Sequence, residues 1–180
     1  MSNAIDVNSA AVTAALNALG ARIGDVSPVL MALGDDIVDR TKQRFASGTG
    51  PDGTPWLPNT QATLIAYIEK RGGFSDKTGK ITKKDQALAM GKRPLQGESG
   101  DLERQFSTLV AGGTTLLLGS TMIYAAMQQF GGTKAQFPNL WGDIVARPFL
   151  PITPEGALYL DEESRIVDSL NRYIQDIGSL

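Results

Sequence analysis

Residues 50–58, Gly-Pro-Asp-Gly-Thr-Pro-Trp-Leu-Pro, hold three prolines, two glycines and one of the chain's two tryptophans. No other stretch limits the fold as strongly. Proline has no N–H and a fixed φ, so this run enters neither a helix interior nor a central strand. Pro51-Asp52-Gly53 has the chemistry of a tight turn. The indole of Trp56 is costly to leave in water and is expected to pin the loop onto a surface. Just before it, residues 28–46 read as a helix. Leu30, Leu33, Gly34, Ile37, Val38, Thr41 and Phe45 form its apolar stripe, with Asp35, Asp36, Asp39, Arg40 and Lys42 mainly solvated. Ser27-Pro28 supplies a cap and a first-turn proline. Burying each large side chain of the stripe is worth about 1.5–3 kcal/mol, so the stripe needs a partner layer.

The rest of the chain supplies that layer. Ile5-Asp6-Val7 alternates as a short edge strand, and Asn8 or Ser9 caps a helix carrying Val12, Ala15, Leu16 and Leu19, ended by Gly20 or Gly24. Thr60 caps a helix with Leu64, Ile65, Tyr67 and Ile68 that stops at Gly72-Gly73. Two apolar runs around Ala111-Gly112-Gly113-Thr114 predict a β-hairpin, the strongest strand signal present. Residues 124–130 read as a short helix stopped by Gly131-Gly132. Ile144-Val145-Ala146 starts a strand broken at Arg147-Pro148. The final helix places Ile166, Leu170, Tyr173, Ile174 and Ile177 on one face, with Asp161 as cap and Glu162 and Glu163 at its positive end. The order predicts an α+β domain: N-terminal helices packed on a small antiparallel sheet, then a C-terminal helix. At 180 residues it is a single domain, 1–180, with a basic Gly/Lys-rich loop at about 70–94.

Composition removes several functions. The chain has no cysteine and no histidine. Disulfides, thiolate metal sites, cysteine nucleophiles and a Ser-His-Asp triad are therefore impossible. Asp/Glu chemistry stays open in principle. However, Asp35-Asp36 and Glu162-Glu163 lie in helices as solvated face or dipole partners, without metal-loop spacing. A metal-dependent hydrolase has only these pairs to draw on; the expectation is no enzyme and no cofactor. No apolar run approaches the roughly 20 residues of a membrane span, so no membrane partner is expected. A net charge of −2 argues against a protein devoted to nucleic acid.

One segment departs from that balance. Between Glu69 and Arg93, eight positive residues (Lys70, Arg71, Lys77, Lys80, Lys83, Lys84, Lys92 and Arg93) face Glu69, Asp76 and Asp85, a local excess of five. Gly79-Lys80 is not a phosphate loop, because the spacing from Gly73 is wrong and Ile81 replaces the required Ser or Thr. The segment reads as a solvated mobile loop, or as a basic arm on nucleic acid. Arg147, fixed by Pro148, suits a bidentate contact to a neighbouring subunit. Tyr124 and Phe130 suit a core or an interface.

Four motifs then line up in order. Arg44-Phe45 leads into Pro51-Asp52-Gly53-Thr54-Pro55-Trp56. Leu95 and Ser99-Gly100-Asp101-Leu102 follow, then Gly119-Ser120, Tyr124-Ala125 and Gln129-Phe130-Gly131-Gly132, and last Ala146-Arg147-Pro148-Phe149-Leu150. Over about Leu30 to Ile152 this set resembles the phage virion morphogenesis family, the tail-completion or neck proteins of Mu-type and related tailed phages. Relatives often carry histidine before the glutamine, where this chain has Gln128, and the Lys/Gly-rich insert before Leu95 is a second departure. The resemblance implies a non-catalytic structural subunit of the virion, made in the host cytoplasm. It would complete the tail or form the neck as a homo-oligomeric ring, a hexamer by analogy. Neighbours would be tail terminator, tail tube or head-connector proteins. On this reading Arg44, Phe45, Asp52, Trp56, Tyr124, Phe130, Arg147 and Phe149 are assembly candidates. The basic residues of 70–93 would touch genomic DNA non-specifically in the channel. The alternative is a nucleic-acid-binding accessory module built on that same segment.

Overall fold

The computed structural model describes residues 9–23, 25–75, 78–97, 99–140 and 142–177. The expected edge strand at Ile5–Val7 lies outside them. Helix α1 spans Ala10–Ile23 and α2 spans Ser27–Ser47. Ser9 caps α1, its Oγ accepting from the Val12 N–H at 3.2 Å. Gly20 does not end α1 but lies inside it. Ser27 does not cap α2 either. Val26 holds the cap position without a side-chain bond, and Asp25 Oδ1 accepts from the Ser27 N–H instead. Pro28 sits in the first turn, and Gly48 ends α2 with a left-handed φ of 73°.

Helix α3, Gln61–Lys70, is capped by Thr60 as its sequence predicts. The segment after it is not a loop throughout. Phe74 and Ile81 pair across a turn, and α4 spans Lys83–Met90. Thr82 caps α4 and bonds the Asp85 carboxylate. Thr-x-x-Asp before the alanine-rich Gln86–Met90 is a helix start signal that the surrounding positive charges obscure. A single turn, α5 (Asp101–Arg104), precedes β1 (Phe106–Ala111) and β2 (Thr115–Ser120). The strands are antiparallel with Leu109 opposite Leu117. Helix α6 spans Ala125–Phe130 and α7 spans Leu160–Ile177. Between them the chain turns at 134–139 and, among the described residues, makes isolated bridges, Gly132 with Ile144 and Ile152 with Leu158, so the strand expected at 144–146 is one bridge long.

Two apolar clusters hold these parts together. In the first, Leu19 of α1, Leu30, Leu33 and Ile37 of α2, and Ile166 and Leu170 of α7 are buried, with Val110, Leu116 and Leu118 of the hairpin packed on them. The α2 stripe therefore faces both the hairpin and α7. Gly34 makes the close approach possible: a Cβ there would lie 3.0 Å from both the Leu116 and Thr108 side chains. Tyr173 stays partly exposed rather than joining the α7 face in the core. The second cluster is Phe45, Trp56, Leu102, Ala125 and Phe149, joined by Leu95, Phe106, Met122 and Leu150. It draws on every one of the four sequence motifs. The fold is thus α+β, with helices on a two-stranded antiparallel sheet and a C-terminal helix closing the layer.

Candidate functional site

The second cluster is organised around one extended strap, residues 147–152. It has no sheet to satisfy its backbone, and an unpaired buried peptide group is costly. Backbone partners serve its ends, the Arg147 N–H donating to the Gln128 carbonyl and the Tyr159 N–H to the Pro151 carbonyl, and side chains serve the middle. Gln129, 1% exposed, uses its whole amide. Its Oε1 accepts from the N–H groups of Phe149 and Leu150 at 2.8 Å each, and its Nε2 donates to the carbonyls of Leu150 at 3.4 Å and Ile152 at 3.1 Å. Trp56 Nε1 donates to the Pro148 carbonyl at 2.8 Å. Arg44 Nη1 donates to the Phe149 carbonyl at 2.7 Å. Thus α2, the proline loop and α6 all grip one six-residue segment.

Arg147 closes the circuit from the strap side. Its Nε donates to the Leu57 carbonyl at 2.8 Å and its Nη2 to the Pro58 carbonyl at 2.9 Å. The bidentate contact anticipated across a subunit boundary is therefore made inside the subunit, to the proline loop. That loop is itself a closed turn: the Gly53 N–H reaches the Gly50 carbonyl, and the Gly50 N–H the Thr54 carbonyl. The Asp52 carboxylate accepts from the Thr54 N–H and hydroxyl, and the backbone bond, its largest influence, holds its pKa below the ordinary aspartate value. Four rings converge there. Phe45 meets Trp56 edge-on at 5.3 Å and Phe149 at 5.4 Å, and Phe106 lies 5.8 Å from Phe149. Leu95 packs at the edge with a left-handed φ of 59°, a conformation that costs a non-glycine residue about 1–2 kcal/mol.

Beside the strap lies a buried ion-pair group. Arg44 Nη2 donates to Glu162 Oε1 at 2.6 Å, and Arg40 Nη2 lies 3.3 Å from Glu162 Oε2 and 3.3 Å from Asp36. Glu162 is 3% exposed. It is therefore not the solvated dipole partner its place in the first turn of α7 suggests, but the anion that pairs with Arg40 and Arg44 of α2. Glu163 accepts from the Ser9 hydroxyl and ties α1 to α7. Burial lowers the pKa of Arg44 and Arg147 from the ordinary arginine value, and both stay charged at neutral pH.

The assembly candidates divide by burial. Arg44, Phe45, Trp56, Arg147 and Phe149 are inside the subunit. Asp52 and Tyr124 are exposed, and Phe130 is half-buried. The basic candidates divide too. Lys92 Nζ sits 4.5 Å from the Tyr67 ring centroid and donates to the Gln96 carbonyl, and Arg71 lies 5.3 Å from the same ring. Arg93 donates to the Ala46 carbonyl at 2.9 Å and so fastens the segment to α2. Lys70, Lys80, Lys83 and Lys84 are exposed, and Lys77 lies outside the described residues. Among the described residues no helix is long and apolar enough to cross a membrane.

The parts the strap joins are the same four motifs, in the same order, that carried the family resemblance. A model of the phage virion morphogenesis family matches residues 7–175, nearly the whole chain. The chain belongs to that family. Neither the curated proteins nor the solved structures contain a match to it. As a phage virion morphogenesis protein it serves virion structure and assembly, and the family is not known for catalysis. Gln129 and Glu162 have structural roles that their places in a Gln-Phe-Gly-Gly motif and in a first helical turn do not show. For Gln129 the available signal was a glutamine four residues after buried Ala125 on a short helix. For Glu162 it was Arg44, seven residues after Ile37 on the buried stripe and in need of an anion.

The amide of Gln129 gives a direct check on the strap. Gln129→Leu keeps the volume but strands the Phe149 and Leu150 N–H groups. At about 1–3 kcal/mol per stranded buried group, the two together give an expected loss of about 2–6 kcal/mol in urea unfolding. A change below about 0.5 kcal/mol would mean the strap is held without it.

Proposed function

We propose that this protein completes the tail of a tailed phage, or forms the neck at its head–tail junction, by assembling copies of itself into a ring. The supporting observation is the family match across 7–175, joined to the motifs' physical role. They lock two proline-rich segments, 50–58 and 147–152, onto one rigid scaffold. Segments already fixed lose little entropy when a partner docks, which favours stable assembly. Repeated contact between different patches of identical copies closes into a ring when the rotation permits. On this reading the buried candidates act by shaping the corners, while Asp52 and Tyr124 are available to touch neighbours, among them tail terminator, tail tube or head-connector proteins. The test is complementation. Phage lacking this chain should yield heads and tails that do not join, and adding the purified protein should restore infectious particles. Joined, infectious particles formed without it would contradict the proposal.

A second reading has its own observation. Lys83 and Lys84 occupy the first turn of α4, where a helix prefers negative charge, and Lys80 is exposed just before them. Their placement does not serve the helix. It suits contact with the phosphates of DNA in a channel, which is sequence-independent and salt-sensitive. Replacing Lys80, Lys83 and Lys84 by alanine should weaken DNA retention and lower the slope of log affinity against log salt by about 2–3. Unchanged retention and slope in a filter-binding titration would remove DNA from the account.

A further inference from the structure

Residues 59–92 form an arm that neither apolar cluster uses. No residue of α3 or α4 belongs to either cluster, and the two helices pack chiefly on each other. The arm has fastenings of its own. Ile68 and Ala89 are buried within it. The Thr82 N–H donates to the Gly73 carbonyl at 3.1 Å, and the Ser75 N–H to the Lys80 carbonyl at 2.9 Å. Gly73 is packed so closely that a Cβ there would lie 2.7 Å from both Ile68 Cγ2 and Asp85 Cγ. Lys92, just past α4, reaches back over the ring of Tyr67 on α3. At the base, Asn59 Nδ2 donates to the Lys92 carbonyl at 2.9 Å, so the chain enters and leaves the arm side by side.

Two chain crossings side by side make a hinge line, and a body hung on one swings unless each crossing is fixed. Both are fixed here, and both to the strap site. The entry is Leu57-Pro58, whose two carbonyls are the ones that Arg147 holds. The exit is Arg93-Pro94-Leu95-Gln96. Arg93 Nη1 donates to the Ala46 carbonyl at 2.9 Å and Gln96 Nε2 to the Phe45 carbonyl at 3.4 Å, at the end of α2. Leu95 packs into the second cluster with its φ of 59°, a strain that persists only where the surroundings fix the residue. Pro58 and Pro94 each lock one further backbone rotation.

We propose that the strap site is the mount of the α3–α4 arm, and that Arg147 and Arg93 are positioning residues that set the arm's direction. Leu57 and Pro58 belong to neither cluster, so holding them adds nothing to core packing. What the Arg147 fork supplies is a fixed place for the arm to begin. Lys80, Lys83 and Lys84 ride on this arm, so its direction decides where their charge lies. Neither a ring nor DNA is needed for the mount to work.

The chain has no cysteine, so pairs of introduced cysteines can carry spin labels at chosen exposed sites of the full-length protein. Pulsed electron paramagnetic resonance then reads the distance within each pair. Gln86→Cys with Asn171→Cys spans arm and body, Ala66→Cys with Gln86→Cys lies within the arm, and Gln43→Cys with Asn171→Cys lies within the body. With the mount intact, all three should give one narrow distance. Arg147→Met, which keeps the stem and loses the donors, should abolish the single arm–body distance and leave the other two narrow. Arg93→Ala, at an exposed site, should do the same from the exit. An arm–body distance that stays narrow in one variant would remove that residue from the mount, and in both would overturn the proposal. A broad arm–body distance with both arginines present would overturn it too. So would an equal spread in the within-arm or within-body pair, because direction would then be lost only through loss of the fold.

Discussion

Glu162→Ala is expected to cost the folded subunit about 3–5 kcal/mol. The Arg44 and Glu162 side chains are 8% and 4% exposed and 2.6 Å apart. Removing the anion leaves the Arg44 guanidinium buried with only the Phe149 carbonyl for company, and Arg40 loses the same partner. The damage should spread from there, because Arg44 also holds the strap. The expected result is a large fall in the urea midpoint with the slope preserved, as for a loss of stability without a change in the area exposed. Replacing Arg44 and Glu162 together by apolar residues of similar volume should recover much of the loss, since a buried pair is far more costly to break than to replace. A fall below about 1 kcal/mol for Glu162→Ala would return this residue to the solvated role its position in the sequence suggests.

Trp56→Ala is expected to be of similar size, about 3–5 kcal/mol, the usual range for deleting a buried aromatic side chain. Trp56 is 7% exposed, meets Phe45 edge-on, and donates to the Pro148 carbonyl. Its removal opens a cavity between α2 and the strap and frees the proline loop from one anchor. Hydrogen exchange should then rise in 50–58 and 147–152 together, while α1 and α7 stay protected. Trp56→Phe, which keeps a ring and loses the N–H, should cost about 1 kcal/mol. A wild-type melting curve for Trp56→Ala would show that the indole anchors nothing.

Much of this was visible beforehand, for identifiable reasons. The α2 stripe, the Thr60 cap, the hairpin around Gly112-Gly113 and the anchoring of Trp56 are all local consequences of spacing and turn chemistry, and they appear as expected. What stayed hidden is non-local. Glu162 looks like any first-turn acid until the fold brings it to Arg44, 118 residues away in sequence. Gln129 looks like a surface glutamine until the strap, 20 residues on, arrives with its peptide groups unpaired. Arg147 beside Pro148 suits a surface arginine or an outward bidentate contact; the fold turns this rigid side chain back onto Leu57 and Pro58. The segment 70–94 is hard to read for a different reason. Its charge drew attention away from Thr82 and Asp85, which start α4, and from Tyr67, which collects Arg71 and Lys92.

Imaging the particle tests the central claim most directly. With a tag on this chain, electron microscopy of isolated tails and of whole virions should show several copies in a closed ring at the head-proximal end of the tail. Tag density along the whole tail, a single copy, or none in infectious particles would contradict it.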